Sequence, residues 1–249
     1  MQKNKKIHPD IPIVVGGINT RKNAEVYLKS FPQFDIAMWG EGEMSIVELA
    51  KTIENRDYNF QTIPNIAYRE QNNIKISDNK NISFSNLSEE NLYPNYDDYF
   101  FQRKELKINC QYIIPIEGSR GCHWNKCKFC YLNEGYKYRT KSAEKINAEI
   151  RFMIQKYQAY NFQFLDNDFI GLDLENINLL LDTLIKVKQE IPKFSIVTIE
   201  VITKGLTHNL IKKMYDAGVI YAQIGYESTS HNLLKKIHKK IHLQVIYFT

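Results

Sequence analysis

No apolar run in the 249-residue chain is long enough to cross a bilayer as a helix, and no signal peptide is expected ahead of its first fold elements. Membrane insertion and secretion are therefore not expected. Cysteine is scarce, with four in the chain, three of them clustered. That excludes a disulfide framework and suits the reducing cytoplasm, the expected location. There is no second C-x2-C pair, so a zinc ribbon cannot close. Neither sign of charge dominates: 33 Lys and Arg face 28 Asp and Glu, a formal net charge of +5. This is not the footprint of a nucleic-acid binder, and no nucleic-acid partner is expected. The lysine groups Lys3, Lys5, Lys6 and Lys235, Lys236, Lys239, Lys240 read as solvated faces. No short internal repeat appears. What remains is an ordinary globular composition, 43% hydrophobic and 24% charged, enough for one large domain or two modest ones.

The informative segment is Gly118-Ser119-Arg120-Gly121-Cys122-His123-Trp124-Asn125-Lys126-Cys127-Lys128-Phe129-Cys130. It places Cys122, Cys127 and Cys130 in a C-x4-C-x2-C run. Thiolates this close share one ligand, and an iron–sulfur cluster fits. Three thiolates leave one iron without sulfur from the protein, open to a substrate or cofactor. Two other readings stand beside it. Free cysteine behaves as a small hydrophobe, although this run is polar. Zinc would take the three cysteines plus His123, although adjacent residues such as Cys122 and His123 rarely both reach one metal. Cys110 lies too far from the trio to be assumed a ligand and is expected to be a core thiol.

The apolar pattern alternates strand and helix. Residues 11–15 read as a strand broken by Gly16-Gly17, with a helix from about Thr20. A second strand spans 35–39, ends at Gly40-Glu41-Gly42-Glu43, and precedes a helix carrying Ile46, Leu49, Ala50 and Ile53. Residues 63–77 read as a hairpin turning at 71–73. The polar, aromatic stretch 78–110 reads as a linker anchored by Leu92, Tyr93, Tyr96, Tyr99 and Phe100; anchoring is the commoner use of such aromatics than base stacking. Four βα units then follow over 111–249. Their strands are expected at 112–116, 162–165, 194–201 and 219–226. Their helices are capped by Ser142, Asp173, Thr207 and Ser230, and Gly218 stops the third. This series suggests a parallel barrel or part of one, whose active groups gather at the C-terminal ends of the strands. There the chain places the cysteine loop, Asp166-Asn167-Asp168, Glu200 with Thr203, and Glu227-Ser228.

These residues resemble the radical S-adenosylmethionine (SAM) family. Gly118-Ser119-Arg120-Gly121-Cys122 with Cys127-Lys128-Phe129-Cys130 is similar to its cluster loop. Arg139-Thr140-Lys141-Ser142, Phe164-Leu165-Asp166-Asn167-Asp168 and Gly225-Tyr226-Glu227-Ser228 resemble its cobalamin-dependent branch, notably proteins that mature ribosomally made peptides. Upstream, Pro12-Ile13-Val14-Val15-Gly16-Gly17 and Gly40-Glu41-Gly42-Glu43 are similar to the second half of that branch's cobalamin-binding domain. Tyr93-Pro94-Asn95-Tyr96-Asp97-Asp98-Tyr99-Phe100 resembles its linker.

The resemblance implies an α/β fold: a partial, Rossmann-like cobalamin-binding domain (1–77), a linker (78–110) and a partial radical SAM (β/α) barrel (111–249), as in a chain truncated at both ends. It implies a 4Fe–4S cluster on Cys122, Cys127 and Cys130, with SAM on the open iron, cleaved to a 5′-deoxyadenosyl radical. By position, Asp166, Asn167, Asp168, Glu200, Glu227 and Ser228 would contact SAM. Gly16, Gly17, Gly40 and Glu41 belong to the cobalamin motifs. It further implies a peptide or small-molecule substrate and a reductase, flavodoxin or ferredoxin as electron donor. The first cysteine gap is four residues where the family usually has three, a small change for a loop. The family's D-x-H-x-x-G motif would lie upstream of Met1, and His8-Pro9-Asp10 does not reproduce it. A non-catalytic cluster-binding remnant and a zinc module are the alternatives.

Overall fold

The computed structural model describes residues 11–18, 20–71, 73–77, 84–88, 93–133, 137–203 and 205–239. His8-Pro9-Asp10, Lys3, Lys5, Lys6, Leu92 and Lys240 lie outside the described residues, as does Asn72 of the hairpin turn. The chain divides into two compact units, Met1–Asn86 and Leu87–Thr249.

The first unit carries a sheet in the order β1 (Val14–Ile18), β2 (Ile36–Trp39), β3 (Ile66–Glu70), β4 (Asn73–Ile76), parallel between the first two strands and antiparallel thereafter. Alternation along the strands sends side chains to opposite faces. Ala37 and Ala67 meet Ala24 and Leu28 of helix α1 (Arg21–Ser30). Ile36, Met38, Ile66 and Tyr68 meet Leu49 of helix α2 (Glu43–Glu54). Thr20 caps α1 by accepting from the Asn23 amide.

One expectation fails in this unit. Gly16 and Gly17 do not end β1; they lie inside it, where the register slips between Val15 and Ile18 as in a bulge. In α2, Ile46 and Ala50 face outward, and the buried positions are Ser45 and Leu49. The Ser45 hydroxyl donates to the Pro64 carbonyl at 2.7 Å, which turns that face inward. An apolar count over Met44, Ile46 and Val47 gives no sign of this rotation.

The second unit opens with α3 (Asp97–Glu105), a helix inside the stretch expected to be linker. Its aromatic anchors occupy one another. Phe100 stacks on Tyr157 at 4.7 Å, Tyr93 stacks on Phe152 at 5.1 Å, and the Tyr157 hydroxyl donates to Asp97 at 2.8 Å.

A four-stranded parallel sheet follows in chain order: β5 (Ile114–Ile116), β8 (Asn161–Phe164), β9 (Ser195–Val201) and β10 (Val219–Ile224). Helices α4 (Ala143–Tyr157), α5 (Leu174–Glu190) and α6 (His208–Asp216) alternate with them, and α7 (His231–Lys236) comes last. All four expected caps form: Ser142, Asp173, Thr207 and Ser230 each accept from the amide three residues on.

One core joins Ile114, Ile116, Phe162, Phe164, Ile196 and Ile199 of the strands to Ile146, Ile150, Met153, Leu181, Leu184 and Met214 of the helices. Every second strand residue therefore points away from the helices. Paired neighbours on that other face are Pro115, Gln163, Thr198 and Tyr221, with Glu200 beside Gln223. This face is open, and Tyr221, Gln223 and Glu200 are exposed.

A buried ion pair anchors the second unit. Lys141 Nζ reaches Glu149 of α4 at 2.8 Å, with side chains only 6% and 1% exposed. The Lys141 amide donates to the Gly118 carbonyl at 2.7 Å, and Asn176 of α5 donates to the Lys141 carbonyl at 3.1 Å. Removing one member of a buried pair strands the other charge. Glu149→Ala is expected to cost about 3–5 kcal/mol in equilibrium urea unfolding, against within about 0.5 kcal/mol for the exposed Glu144→Ala.

Candidate functional site

The cysteine loop leaves the end of β5 and is closed at its base by a two-stranded ladder. In it β6 (Ser119–Arg120) pairs with β7 (Arg139–Thr140). Two glycines are dictated by close approach. A Cβ on Gly118 would lie 2.7 Å from an Asp166 carboxylate oxygen, and one on Gly121, at φ +81°, would lie 3.1 Å from the Lys137 carbonyl.

Asp166 follows β8 and is 3% exposed. Its carboxylate accepts from the Gly118 amide at 2.7 Å. Burial pushes its pKa up to about 7, although the hydrogen bonds from Gly118 and Ser119 oppose the rise. The carboxylate of Asp166, one of the candidate SAM residues, thus binds the backbone of the cysteine loop.

Asp168, also buried, is bonded to His123 through the imidazole Nδ1. Tyr138 closes this group, its ring 6.3 Å from that of His123. Burial, followed by the charges of Asp168 and Asp166, raises the Tyr138 pKa and keeps the phenol neutral. A Cβ on Gly171 would collide with the Tyr138 hydroxyl, at 1.7 Å. Sequence reasoning weighed His123 only as a zinc ligand and passed over Tyr138 altogether. The spacing of His123 to Asp168 holds no periodic signal.

Cys122, Cys127 and Cys130 are all half-buried. The Cys130 amide donates to the Cys127 carbonyl at 3.1 Å, a tight turn that carries both thiols. Burial raises the Cys127 pKa. Lys239 opposes the rise, while Cys130, Cys122 and Glu227 add to it, so all four groups stand within electrostatic reach of this thiol. The loop is also fastened to α7. The Trp124 indole N–H donates to the His238 carbonyl at 2.7 Å, and the Lys128 amide to the Ile237 carbonyl at 3.0 Å, filling acceptors at that helix's end.

Three soft donors on one ordered, partly shielded loop suit an iron–sulfur cluster. Among the described residues no group of three His, Cys, Asp or Glu is arranged to hold a single metal ion. Cys110, expected in the core, is exposed, and Arg103 donates to its sulfur. The helix of 97–105 draws it to the surface, where Arg103 also binds the Cys110 carbonyl at 2.6 Å.

The remaining candidates ring the same end of the sheet. Glu227, at φ +59°, bonds Lys239 at 3.2 Å beside Cys127. The Ser228 hydroxyl accepts from the Ser230 amide at 3.0 Å, just ahead of α7. Asn167 is half-buried between the two aspartates, and Glu200 stands exposed on the open face of β9.

In the first unit, Gly16 and Gly17 lie within β1 and Gly40 follows β2, and the Gly40 amide donates to the Ile18 carbonyl at 2.8 Å. Gly17 and Gly40 both have positive φ, and space is empty where Cβ atoms of Gly16 and Gly17 would lie. Glu41 is buried and accepts from the Ser85 amide at 2.9 Å.

A family model described as the radical SAM superfamily matches residues 116–247. An uncharacterized methyltransferase of Pyrococcus horikoshii is 25% identical over 239 residues, which cover 95% of this chain and 50% of that protein. The fold matches that of the radical S-adenosylmethionine methyltransferase TsrM from Kitasatospora setae, solved with cobalamin and a [4Fe-4S] cluster, at a TM-score of 0.69 and 15% identity. The match covers 94% of this chain and 46% of TsrM. A second TsrM structure, with tryptophan substrate and the SAM analog aza-SAM, matches equally. The chain thus spans about half the length of the relatives it matches.

The Asp166 carboxyl keeps its proton in the fold after it would have lost it in the unfolded chain. Between the ordinary aspartate range and about pH 7 the folded state therefore binds more protons, and this contribution to stability is lost as pH rises. Wild-type stability is expected to decline across that window in urea titrations, and Asp166→Asn to flatten the decline.

Proposed function

The chain belongs to the radical SAM superfamily, and from that membership we propose that it binds a 4Fe–4S cluster on Cys122, Cys127 and Cys130 and cleaves SAM. The observation that carries the reading is the set of three half-buried thiols on one loop, pinned by Asp166 at its base and by α7 at its rim. The bound cluster would supply the single electron that breaks a carbon–sulfur bond of SAM, giving methionine and a 5′-deoxyadenosyl radical. The protein's own part is placement and exclusion of water. Asp168 fixes the His123 ring beside Cys122, and the neutral Tyr138 phenol fills the space behind it. The open face offers Gln163, Thr198, Glu200 and Gln223 as polar groups for SAM and substrate. Asn167, Glu227 and Ser228 line the rim, while Asp166 acts through the loop and not on SAM.

The first unit is proposed to hold cobalamin, which would carry a methyl group, at the shelf formed by Gly16, Gly17 and Gly40. Strand ends in parallel sheets are where such ligands bind, and the open space beside Gly16 and Gly17 admits a broad, flat group. The methyltransferase name of the Pyrococcus relative and the cobalamin in TsrM support methyl transfer. The substrate is a peptide or small molecule, and a reductase, flavodoxin or ferredoxin supplies the electrons.

Anaerobic reconstitution with iron and sulfide tests the reading. About four irons per chain are expected, with an electron paramagnetic resonance signal in the reduced protein that changes when SAM is added. Cys127→Ala should lose both. A chain that takes up no cluster, or one whose signal ignores SAM, would refute it. Hydroxocobalamin titration followed by visible absorbance tests the first unit. Gly17→Leu puts a side chain into the open space where the corrin would lie, so affinity should fall about tenfold.

A further inference from the structure

Most charged side chains around the cysteine loop are either paired or in solvent. Arg120 donates to both carboxylate oxygens of Glu117, at 2.7 and 2.9 Å. Lys141 meets Glu149, and Lys239 meets Glu227. Lys126 and Lys128 stand exposed, where water screens them. Two buried acids fall outside these pairs. Asp166 is taken up by the Gly118 amide and by Ser119. Asp168, 1% exposed, is bonded by no lysine or arginine among the described residues; its partner is the His123 imidazole. His123 directly follows Cys122, so a buried carboxylate lies one side chain away from a proposed cluster ligand. Tyr138 completes the enclosure. Its phenol feels the charges of both Asp168 and Cys122, and it packs where Gly171 carries no side chain. Charge held in such a place is screened far less than charge at the surface.

We propose that Asp168, held in place by His123 beside Cys122, is a fixed negative charge that keeps the reduction potential of the cluster low. The inference rests on the cluster reading above and concerns how strongly the reduced cluster pushes its electron out. On reduction the cluster gains one electron and the reductant loses one; no bond forms or breaks, and no proton needs to move. A nearby negative charge disfavours the added electron. The reduced cluster is then the stronger donor, which the breaking of a carbon–sulfur bond demands. Cluster potentials respond to net charge, hydrogen bonding and solvent exposure, and carboxylates behind the groups that bear a metal are a recurring means of tuning it. At an effective dielectric of about 20, a unit charge roughly 10 Å from a redox centre changes its electron-transfer equilibrium about tenfold. The paired charges around the loop largely cancel, which leaves Asp168 as the buried carboxylate able to exert this effect.

The test measures the reduction potential of the reconstituted chain, by mediated titration with dithionite at one fixed pH, the reduced cluster being counted by electron paramagnetic resonance. Asp168→Asn keeps the shape of the side chain and removes its charge. It should favour the reduced form about tenfold, a rise of about 59 mV for one electron. His123→Asn, whose amide can still donate to Asp168, keeps the charge and should give a smaller shift. Glu144→Gln removes an equal charge from the exposed side of α4 and should leave the potential where it was. A purely structural role would change iron content or stability without moving the potential. An Asp168→Asn potential equal to that of wild type would overturn the proposal, as would an equally large rise in Glu144→Gln or in His123→Asn. If Asp168→Asn does not fold or takes up no iron, Asp168→Ser is judged by the same rise, and loss of the cluster from both would overturn the proposal in favour of a structural role. A wild-type chain that binds no cluster refutes the cluster reading and this proposal with it. A wild-type cluster whose potential ignores Asp168 refutes this proposal alone.

Discussion

A carboxylate pressed against a glycine organises the second unit. Asp166 follows its strand with its side chain turned inward, where the Gly118 amide meets it at 2.7 Å and Ser119 bonds it as well. The approach is so close that a methyl group on residue 118 would strike the carboxylate. This ties the start of the cysteine loop to the neighbouring strand of the parallel sheet. The Lys141 amide then ties the returning arm to Gly118, and Lys141 itself is locked to Glu149. The three thiols hang from a base whose every strand is braced by a buried polar contact. Such contacts are costly to leave unmade in low dielectric, so they specify one arrangement of the loop.

The one-sided packing of the parallel sheet follows from the same constraint. Phe162, Phe164, Ile196 and Ile199 are committed to the helices, so Gln163, Thr198 and Glu200 must face away from them. A polar face next to a thiol-bearing loop is what a charged, hydrogen-bonding cofactor such as SAM requires. Tyr93, Phe100 and Tyr157 meanwhile gather at the opposite end, where α4 finishes and β8 begins. They cover the base of the sheet and leave its working end to the loop.

The surroundings of the thiols differ from one to the next. Cys122 borders His123, Asp168 and Tyr138, a buried polar group with a neutral phenol. Cys127 borders Lys239 and Glu227 at an exposed cationic edge. One side of the loop is thus shielded and the other faces solvent.

Much of this was legible in the chain. C-x4-C-x2-C is a covalent spacing and survives any fold, and the caps Ser142, Asp173, Thr207 and Ser230 act within four residues. The strand and helix order follows from periodicity over short windows for the same reason. What the linear pattern did not contain depends on distant partners. The inward turn of α2 is set by Ser45 and Pro64, 19 residues apart. The exposure of Cys110 is set by a helix in a stretch too polar to announce one. Asp166 meets the Gly118 amide across 48 residues. His123 meets Asp168 across 45 residues. Lys239, just past α7, is brought beside Cys127 by the contacts of Trp124 and Lys128. The sequence by itself determined the clustering of the three cysteines and the local elements, because those rest on bonded neighbours and short-range hydrogen bonds. The tertiary structure decided which polar groups hold the loop and which surround it, because burial and close approach are properties of the packed chain.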